Sequence, residues 1–297
     1  MQIILRDTAN QAERIFYNTP DFPLYLGEQH ISVFVNYSAL SHWHDDVEFI
    51  VVRSGRLHYN INGTVLVLEP GQGLFINSRQ LHNGFSPHRE DCVFLCVRLA
   101  PLLLCASSWV EQTYVTPILE NPALPWLRLN PDQPEAQAIL EALNGMERCC
   151  RDDLQPLQVQ SLFFALWQPL FTMAGAARSH GAPHSRHLAV LKEMMRFIAD
   201  HYAESLTLTD IGRAGGVGKT TCCGLFRRYT GKTPGGYLTD YRLRKGLELL
   251  ETTDKTVAEI CFDTGFSGPS YFAETFRKAF GCSPTAYRAR HPARNVP

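Results

Sequence analysis

The sequence predicts an α+β multidomain protein, in which a β-barrel with flanking helices precedes an all-α domain built from two helix-turn-helix copies. Three observations predict this class. Short apolar stretches broken by Gly, Pro and Asn run from about Ile31 to Leu99. Helical periodicity replaces them from about Pro101 onward. The charge is also divided, because residues from Arg186 onward hold 17 Lys and Arg against 11 Asp and Glu in a chain of net charge −1.

The predicted barrel extends from about residue 25 to residue 100. Many short strands with regular turn signals are typical of a barrel or a sandwich. Asn62-Gly63 lies between two apolar stretches and predicts a two-residue hairpin turn. The expected strands lie in the stretches ISVFVNY, VEFIVVRSG, LHYNING, TVLVLEPG, GLFINS and CVFLCVRL.

Two amphipathic or apolar helices are predicted after the barrel, at Glu135–Cys150 and Pro156–Ala177. The second is so apolar that it must pack on the barrel, on the next domain or on a second subunit, so both helices are candidates for a dimer interface. The small residues of SHGAPHS predict a linker. We therefore predict an effector-binding and dimerisation domain at 1–178, a linker at 179–186 and a helical domain at 187–297.

The helical domain contains the same arrangement twice. In each copy a short helix, a Gly-centred turn and a second helix ending in aromatic and basic residues are followed by Gly, Pro and Tyr. The turn glycines, Gly216 and Gly265, permit the positive φ that steeply crossing helices need. Such a pair can place two helices in adjacent major-groove segments of DNA. The copies are LTLTDIGRAGGVGKTTCCGLFRRYTGKTPGGYL and KTVAEICFDTGFSGPSYFAETFRKAFGCSPTAYR.

On these segments, from about Leu206 to Arg288, the chain resembles the AraC/XylS family of transcription regulators. The second copy is very close to the family signature, whereas the first departs from it at Gly212, Gly218 and Gly224. A mid-helix Gly costs roughly 0.5–1 kcal/mol against Ala, so we expect more regular helix geometry in the second copy. The resemblance implies a sequence-specific, homodimeric regulator, expected to be an activator, whose partners are double-stranded DNA, a small-molecule effector and RNA polymerase.

Carried over by position, the resemblance implies that the second helix of each copy contacts DNA. Glu274 can accept a hydrogen bond from a cytosine amino group, and basic residues near the helix ends suit phosphates. The base-edge candidates are Lys219, Thr220, Cys223 and Gly224 in the first copy and Pro269, Ser270, Ala273 and Glu274 in the second. The phosphate candidates are Arg227, Arg228, Arg277 and Lys278.

The barrel region carries the spacing HxHx₃Ex₆G at His42, His44, Glu48 and Gly55, and His82 follows later. This spacing resembles the first motif of cupin domains. Residues i and i+2 of a strand share a face, so both early histidines can point inward. We expect His42, His44, Glu48 and His82 to line the effector pocket, and the same set suits Zn²⁺, Fe²⁺, Mn²⁺ or Ni²⁺. The AraC resemblance implies instead an organic effector, often a sugar, with no metal required.

Other interpretations of these motifs remain open. The barrel motif also fits a metal-dependent cupin enzyme with an appended helical domain, or a barrel that only dimerises. The GGVGKTT stretch at Gly215–Thr221 resembles a phosphate-binding loop, but such a loop needs a preceding strand, and a helix is predicted there. Cys222-Cys223 raises a redox-sensor hypothesis. The complete second copy favours a regulator without enzymatic activity.

Composition sets the remaining expectations. The chain is 45% hydrophobic and 19% charged over 297 residues, which is enough for two cores. Its apolar runs are too short to cross a bilayer, and its first residues mix charged and apolar side chains, unlike a signal peptide. Nine cysteines without a CxxC pair fit a reducing compartment. We expect a cytoplasmic protein without membrane contact.

Overall fold

The computed structural model describes residues 4–6, 15–18, 21–150, 155–176 and 186–290. The chain divides into two compact units. The barrel unit comprises Met1–Ile31, His42–Ser86 and Glu90–Ser185, and the helical unit comprises Ser32–Ser41, Pro87–Arg89 and Arg186–Pro297. Of the linker predicted at 179–186, residues 179–185 lie outside the described residues, and Arg186 is the first residue of a helix.

The barrel unit is built from short antiparallel strands. One sheet has the order β10-β7-β4-β9-β3, a second has the order β6-β5-β8, and β1 pairs with β2. The predicted hairpin is confirmed, because Asn62 and Gly63 have φ of 50° and 88° between β5 and β6. The strands are β1 Ile4–Arg6, β2 Ile15–Tyr17, β3 Leu24–His30, β4 Val47–Ser54, β5 Leu57–Ile61, β6 Thr64–Leu68, β7 Gly73–Ile76, β8 His82–Phe85, β9 Val93–Leu99 and β10 Trp126–Leu129.

Helices cover one face of the five-stranded sheet. Alternate residues of β4, such as Phe49, join a core with Leu143 and Phe163 from the two long helices, whereas Glu48 points to the opposite face. Both long helices lie where the sequence predicted them. The helical elements are α1 Ser108–Val110, a π-helical turn Glu111–Val115, α2 Thr116–Leu119, α3 Pro134–Cys149 and α4 Pro156–Ala176. Within the described ranges, no helix combines the length and apolar character needed to cross a membrane.

Two sequence-based assignments were wrong. The ISVFVNY stretch is not a strand but two short turns, Ile31–Val33 and Val35–Tyr37. Asn36 and Tyr37 have φ of 54° and 55°, a left-handed conformation that an extended strand does not allow. In the region predicted to be helical, β10 adds a strand by pairing with β7, where its buried Leu127 and Leu129 join the core.

The helical unit contains seven α-helices among its described residues. Both short helices that open the two copies begin with a capping box, in which Thr207 pairs with Asp210 and Thr256 with Glu259. The helices are α5 Arg186–His201, α6 Leu208–Ala214, α7 Lys219–Thr230, α8 Pro234–Thr252, α9 Val257–Asp263, α10 Pro269–Phe280 and α11 Pro284–Arg290.

The expected difference in helix geometry between the copies is not observed. Helices α7 and α10 both have 12 residues and end in a left-handed glycine, Gly231 or Gly281. Gly218 and Gly224 of the first copy do not interrupt α7, because one lies at its start and the other on its exposed face. Gly218 is the N-cap of α7, just as Gly268 is the N-cap of α10, and a Cβ on Gly224 would contact nothing within 4 Å.

Candidate nucleic-acid interface and barrel ligand site

The turn of the second copy explains why a glycine precedes α10, the helix expected to contact DNA. Gly265 has φ of 78°, and a Cβ there would lie 2.7 Å from the carbonyl oxygens of Tyr202 and Ala203. Arg242 of α8 donates to the Tyr202 carbonyl at 2.7 Å and so fixes the end of α5 at the same place. Any side chain at Gly265 would force these elements apart, so the turn geometry depends on glycine.

In the first copy, the close approach of two backbone segments occurs at a different glycine. Gly216 also has a positive φ, 63°, but a Cβ there would contact nothing within 4 Å. A Cβ on Gly212 would instead lie 2.7 Å from the Val217 carbonyl oxygen. The Val217 amide donates to the Gly212 carbonyl at 2.9 Å, so the turn closes directly onto α6. This glycine is a packing requirement and not a defect in the helix.

The sequence-predicted DNA contacts all lie outside the core of the helical unit. Cys223 and Ala273 are half-buried, and the other candidates are exposed. Cys222 on α7 and Phe272 on α10 are buried, so they pack the faces away from the predicted DNA contacts against the core. The exposed residues are Lys219, Thr220, Gly224, Arg227 and Arg228 on α7, and Pro269, Ser270, Glu274, Arg277 and Lys278 on α10.

The sequence analysis omitted one exposed residue from each of α7 and α10. Thr221 and Tyr271 occupy the third position of α7 and α10, next to the predicted Thr220 and Ser270. The Tyr271 side chain is 53% exposed although it is a large aromatic group. An exposed aromatic residue beside predicted base contacts was the available signal, and it adds Tyr271 to the candidate interface.

The barrel unit brings the four predicted ligand residues together. Their ligand atoms, from His42, His44, Glu48 and His82, all lie within 4.8 Å of one another. A backbone bridge between His42 and His82 places two of the imidazoles side by side, with ring centroids 4.3 Å apart. Three of the four residues are buried, and His42 is half-buried. The predicted cluster is therefore assembled in space.

Hydrogen bonds fix which nitrogen of two histidines faces the cluster. The Nδ1 atoms of His44 and His82 lie 3.0 and 2.8 Å from the backbone oxygens of Asp46 and Gln80. Carbonyl oxygens only accept hydrogen bonds, so each Nδ1 carries a hydrogen and, in the neutral ring, each Nε2 presents a lone pair. Both Nε2 atoms point at Glu48 Oε2, at 3.0 and 3.2 Å.

Glu48 is held as an acceptor by its neighbours. Burial alone would raise the pKa of Glu48, but His82 and His44 hold it well below its usual value. Tyr59 donates to the other carboxylate oxygen at 2.8 Å. Burial and the adjacent carboxylate raise the pKa of the Tyr59 hydroxyl well above its usual value, so it remains a donor. This hydrogen bond makes Tyr59 a support for the cluster and more than a filler of the barrel core.

This donor set fits a divalent transition metal. Imidazole nitrogens and a carboxylate are the ligands that Zn²⁺, Fe²⁺, Ni²⁺ and Mn²⁺ accept. Metal-binding histidines almost always donate their second ring nitrogen to a carbonyl or carboxylate, as His44 and His82 do. A bound cation would take the place of the protons through which His44 and His82 otherwise contact Glu48. The residues present thus suit the group that the cupin resemblance implies.

Two alternative sites are not supported by the local structure. The Gly215–Thr221 stretch follows helix α6 and enters α7, so it lacks the strand that feeds a phosphate-binding loop. All nine cysteines are free. Cys222 is fully buried, and burial raises the pKa of its thiol to about 11, whereas redox sensing needs an exposed thiolate.

Comparison with known proteins agrees with both halves of this description. A helix-turn-helix domain model matches residues 211–290, and a cupin domain model matches residues 33–98.

Relatives align with this chain over most of their own length. An uncharacterized HTH-type transcriptional regulator of Bacillus subtilis (strain 168), YdeC, is 29% identical over 94% of this chain and 96% of its own. The melibiose operon regulatory protein of Escherichia coli (strain K12) is 26% identical over 84% of this chain and 83% of its own. The HTH-type transcriptional activator RhaS of Salmonella arizonae is 26% identical over 83% of this chain and 86% of its own.

A cupin barrel joined to a double helix-turn-helix defines a DNA-binding transcription regulator and not an enzyme. The chain combines an AraC-type helix-turn-helix domain with an N-terminal cupin domain, and the proteins it resembles over most of their length are transcription regulators.

Proposed function

We propose that this regulator is an activator whose barrel holds one divalent transition-metal ion at His42, His44, Glu48 and His82, and that the ion is its small-molecule effector. The observation that carries the proposal is the convergence of four ligand atoms, from His42, His44, Glu48 and His82, within 4.8 Å of one another. Because backbone oxygens hold the Nδ1 atoms of His44 and His82, both Nε2 atoms are oriented toward the cluster and could bind a cation in place of a proton. The bound ion would supply a positive charge that these four side chains hold.

Activation is supported by the relatives. RhaS is named a transcriptional activator. We infer that this chain acts in the cytoplasm, reads double-stranded DNA with α7 and α10, and contacts RNA polymerase at its promoters. Base edges would be read by the exposed residues of both helices, and phosphates by the basic residues near their ends.

A homodimer is part of the proposal. The 21 residues of α4 include no charged side chain, yet Leu157 is 82% and Phe164 is 37% exposed. Beside α4, a groove of about 450 Å³ is lined by Tyr114, Trp167 and Phe171, among others. An uncharged apolar surface of this kind is typical of a protein–protein interface. We propose that a second copy of the chain covers it, which pairs two DNA-reading units.

An organic effector is the second candidate. The relative named for the melibiose operon supports a sugar as the class of ligand. In that case the same four polar residues would bind hydroxyl groups, as the AraC resemblance implies. The two candidates differ in what co-purifies with the protein and in what stabilises it.

The test is a metal count on the full-length protein, purified without a metal-affinity tag and dialysed separately against Mn²⁺, Fe²⁺, Ni²⁺ and Zn²⁺. We expect one tightly bound ion per chain in the parent and none in His82→Ala or Glu48→Gln. His58→Ala is the matched control, because His58 is a half-buried barrel histidine outside the cluster. A parent that binds none of these ions contradicts the metal proposal, and a thermal shift with a sugar panel would then support the organic effector.

A further inference from the structure

Two segments from the N-terminal half of the sequence pack within the helical unit. Ser32–Ser41 and Pro87–Arg89 cluster with the helices that follow residue 186 and not with the barrel strands that flank them in the chain. We call these two segments together the strap. The predicted domain boundaries had placed both in the N-terminal domain, so their position raises the question of what the strap does.

The first anchor of the strap is apolar. Val35 is 7% exposed and belongs to a core cluster that includes Leu243 of α8 and Phe272 and Phe276 of α10. The left-handed residues Asn36 and Tyr37 follow directly, and they turn the chain sharply after Val35. Two successive non-glycine residues with positive φ persist only where the surrounding packing holds them. The strap is thus inserted into the core behind the second reading helix.

The second anchor is polar and reaches the end of α10. The Arg89 guanidinium donates to Asn36 Oδ1 at 2.7 Å and to the Lys278 carbonyl at 3.1 Å. Lys278 lies in the last turn of α10, where helix carbonyls lack intrahelical partners and a positive charge is favourable. Arg89 therefore ties the two strap segments to each other and to the reading helix.

The third anchor is on the long helix between the copies. The Tyr237 hydroxyl of α8 donates to the Ser41 carbonyl at 3.0 Å, and Tyr237 is only 2% exposed. Its ring packs against Phe226 of α7, with centroids 5.5 Å apart. The strap thus contacts α8 and α10 directly and reaches α7 through one aromatic contact.

Both strap segments lie close in sequence to ligand residues of the barrel cluster. Ser41 is bonded to His42, and Pro87–Arg89 follows the short strand β8, which begins at His82. His42 and His82 are also joined by backbone hydrogen bonds of 3.1 and 2.9 Å. Ordering these two histidines therefore restrains the chain immediately after the end of one segment and shortly before the start of the other.

We propose that the strap is the element through which occupancy of the barrel cluster controls DNA binding. A cation that fixes His42 and His82 favours the docked strap, and the docked strap holds α8 and α10 in the arrangement that binds DNA. Loss of the ion favours release of the strap and weakens DNA binding. Because linkage is reciprocal, DNA must tighten metal binding by the same factor as metal tightens DNA binding. This inference rests on the proposed metal site.

The experiment uses the full-length protein, Zn²⁺ as the probe ion and a DNA fragment enriched in vitro by the parent. Zn²⁺ affinity is measured with and without DNA, and DNA affinity with and without Zn²⁺. His82→Ala is used to subtract Zn²⁺ bound at cysteines. We expect Zn²⁺ to tighten DNA binding in the parent by about fivefold or more, and DNA to tighten Zn²⁺ binding equally.

Arg89→Ala and Val35→Ala test the strap itself. Both variants should still bind one Zn²⁺ but should lose the difference in DNA affinity between the Zn²⁺-bound and Zn²⁺-free protein. Two matched controls should keep it. Val33→Ala truncates the same side chain two residues away, where it is 56% exposed. Arg56→Ala removes an exposed arginine that pairs with Glu69 in the barrel unit.

The outcomes separate the two proposals. A parent that binds Zn²⁺ at the cluster while its DNA affinity stays unchanged overturns the role of the strap and leaves the metal site standing. If the strap variants keep the full effect of Zn²⁺ on DNA affinity, the role of the strap is also overturned, even where their melting temperatures fall. A parent that binds no Zn²⁺ refutes the metal site, and the coupling proposal falls with it.

Discussion

Glu274 and Lys278 lie one turn apart on the exposed face of α10, and Lys278 Nζ is 2.7 Å from Glu274 Oε1. The hydrogen bond from Lys278 and its charge lower the pKa of Glu274, so the carboxylate is an ionised acceptor near neutral pH. The two residues are predicted to contact DNA in different ways, Glu274 at a base edge and Lys278 at a phosphate. Lys278 contacts Oε1, and the second carboxylate oxygen of Glu274 can accept from a base without opening the ion pair.

Replacing each partner should therefore change DNA binding differently. Glu274→Ala should relax the preference for cytosine at one base pair by about 1–3 kcal/mol. Lys278→Ala should weaken binding to all sequences alike and reduce the slope of log affinity against log salt by about 1. Competition binding to a randomised site at several salt concentrations measures both the base preference and the salt slope. Glu193→Ala, which breaks an exposed ion pair with Arg196 on α5, is the control. Equal loss on every sequence in Glu274→Ala would contradict base reading.

The sequence predicted the double helix-turn-helix because its signals are local. Turn glycines, caps and buried aromatics lie within about 25 residues of one another in each copy. The ligand residues His42, His44 and Glu48 were equally local, and His82 was placed beside them by strand pairing. The strap was missed because its apolar alternation imitates a strand. Only the long-range contacts of Val35 with α8 and α10 show that this segment packs with helices.

Two glycines of the first copy should respond to alanine in opposite ways. A Cβ on Gly224 meets nothing within 4 Å, so Gly224→Ala should stabilise the helical unit by about 0.5–1 kcal/mol. A Cβ on Gly212 would lie 2.7 Å from the Val217 carbonyl oxygen, so Gly212→Ala should destabilise it by about 1–3 kcal/mol. Chemical denaturation of the full chain, followed through the transition of the helical unit, measures both. Similar effects of the two substitutions would mean that the close approach at Gly212 is absent.

Tyr59 should act on metal affinity without being a ligand. Its hydroxyl donates to Glu48 Oε1 at 2.8 Å and leaves Oε2 for the cluster. Tyr59→Phe removes this donor while keeping the ring, and it should weaken metal affinity by about 10–100-fold with the stoichiometry of one ion retained. Competition with a chelator measures the change. Tyr114→Phe, at a 39% exposed tyrosine outside the cluster, should leave the affinity as in the parent.

Acid should destabilise the helical unit partly through Glu259. Hydrogen bonds from the Thr256 hydroxyl and amide lower the pKa of Glu259 in the folded state. A depressed folded pKa means that its contribution is complete above the unfolded value of about 4.3 and is lost as pH falls through the folded value. Glu259→Gln should reduce the acid-induced fall in the melting temperature of the unit below about pH 4.3. Glu28→Gln removes an exposed carboxylate on β3 and should leave the acid-induced fall in melting temperature unchanged. An unchanged acid profile in Glu259→Gln would exclude this contribution.

The uncharged face of α4 should govern the oligomeric state. Burying a carboxylate without a partner in an apolar interface costs several kcal/mol, so a single aspartate there should dissociate a dimer. Phe164→Asp should therefore sediment as a monomer at concentrations where the parent is a dimer. Val65→Asp is the matched control, because Val65 is an apolar residue that is 52% exposed on β6. If a dimeric parent is unaffected by Phe164→Asp, a different surface must hold its subunits together. If the parent is itself a monomer at these concentrations, the exposed face of α4 is not a stable self-association site.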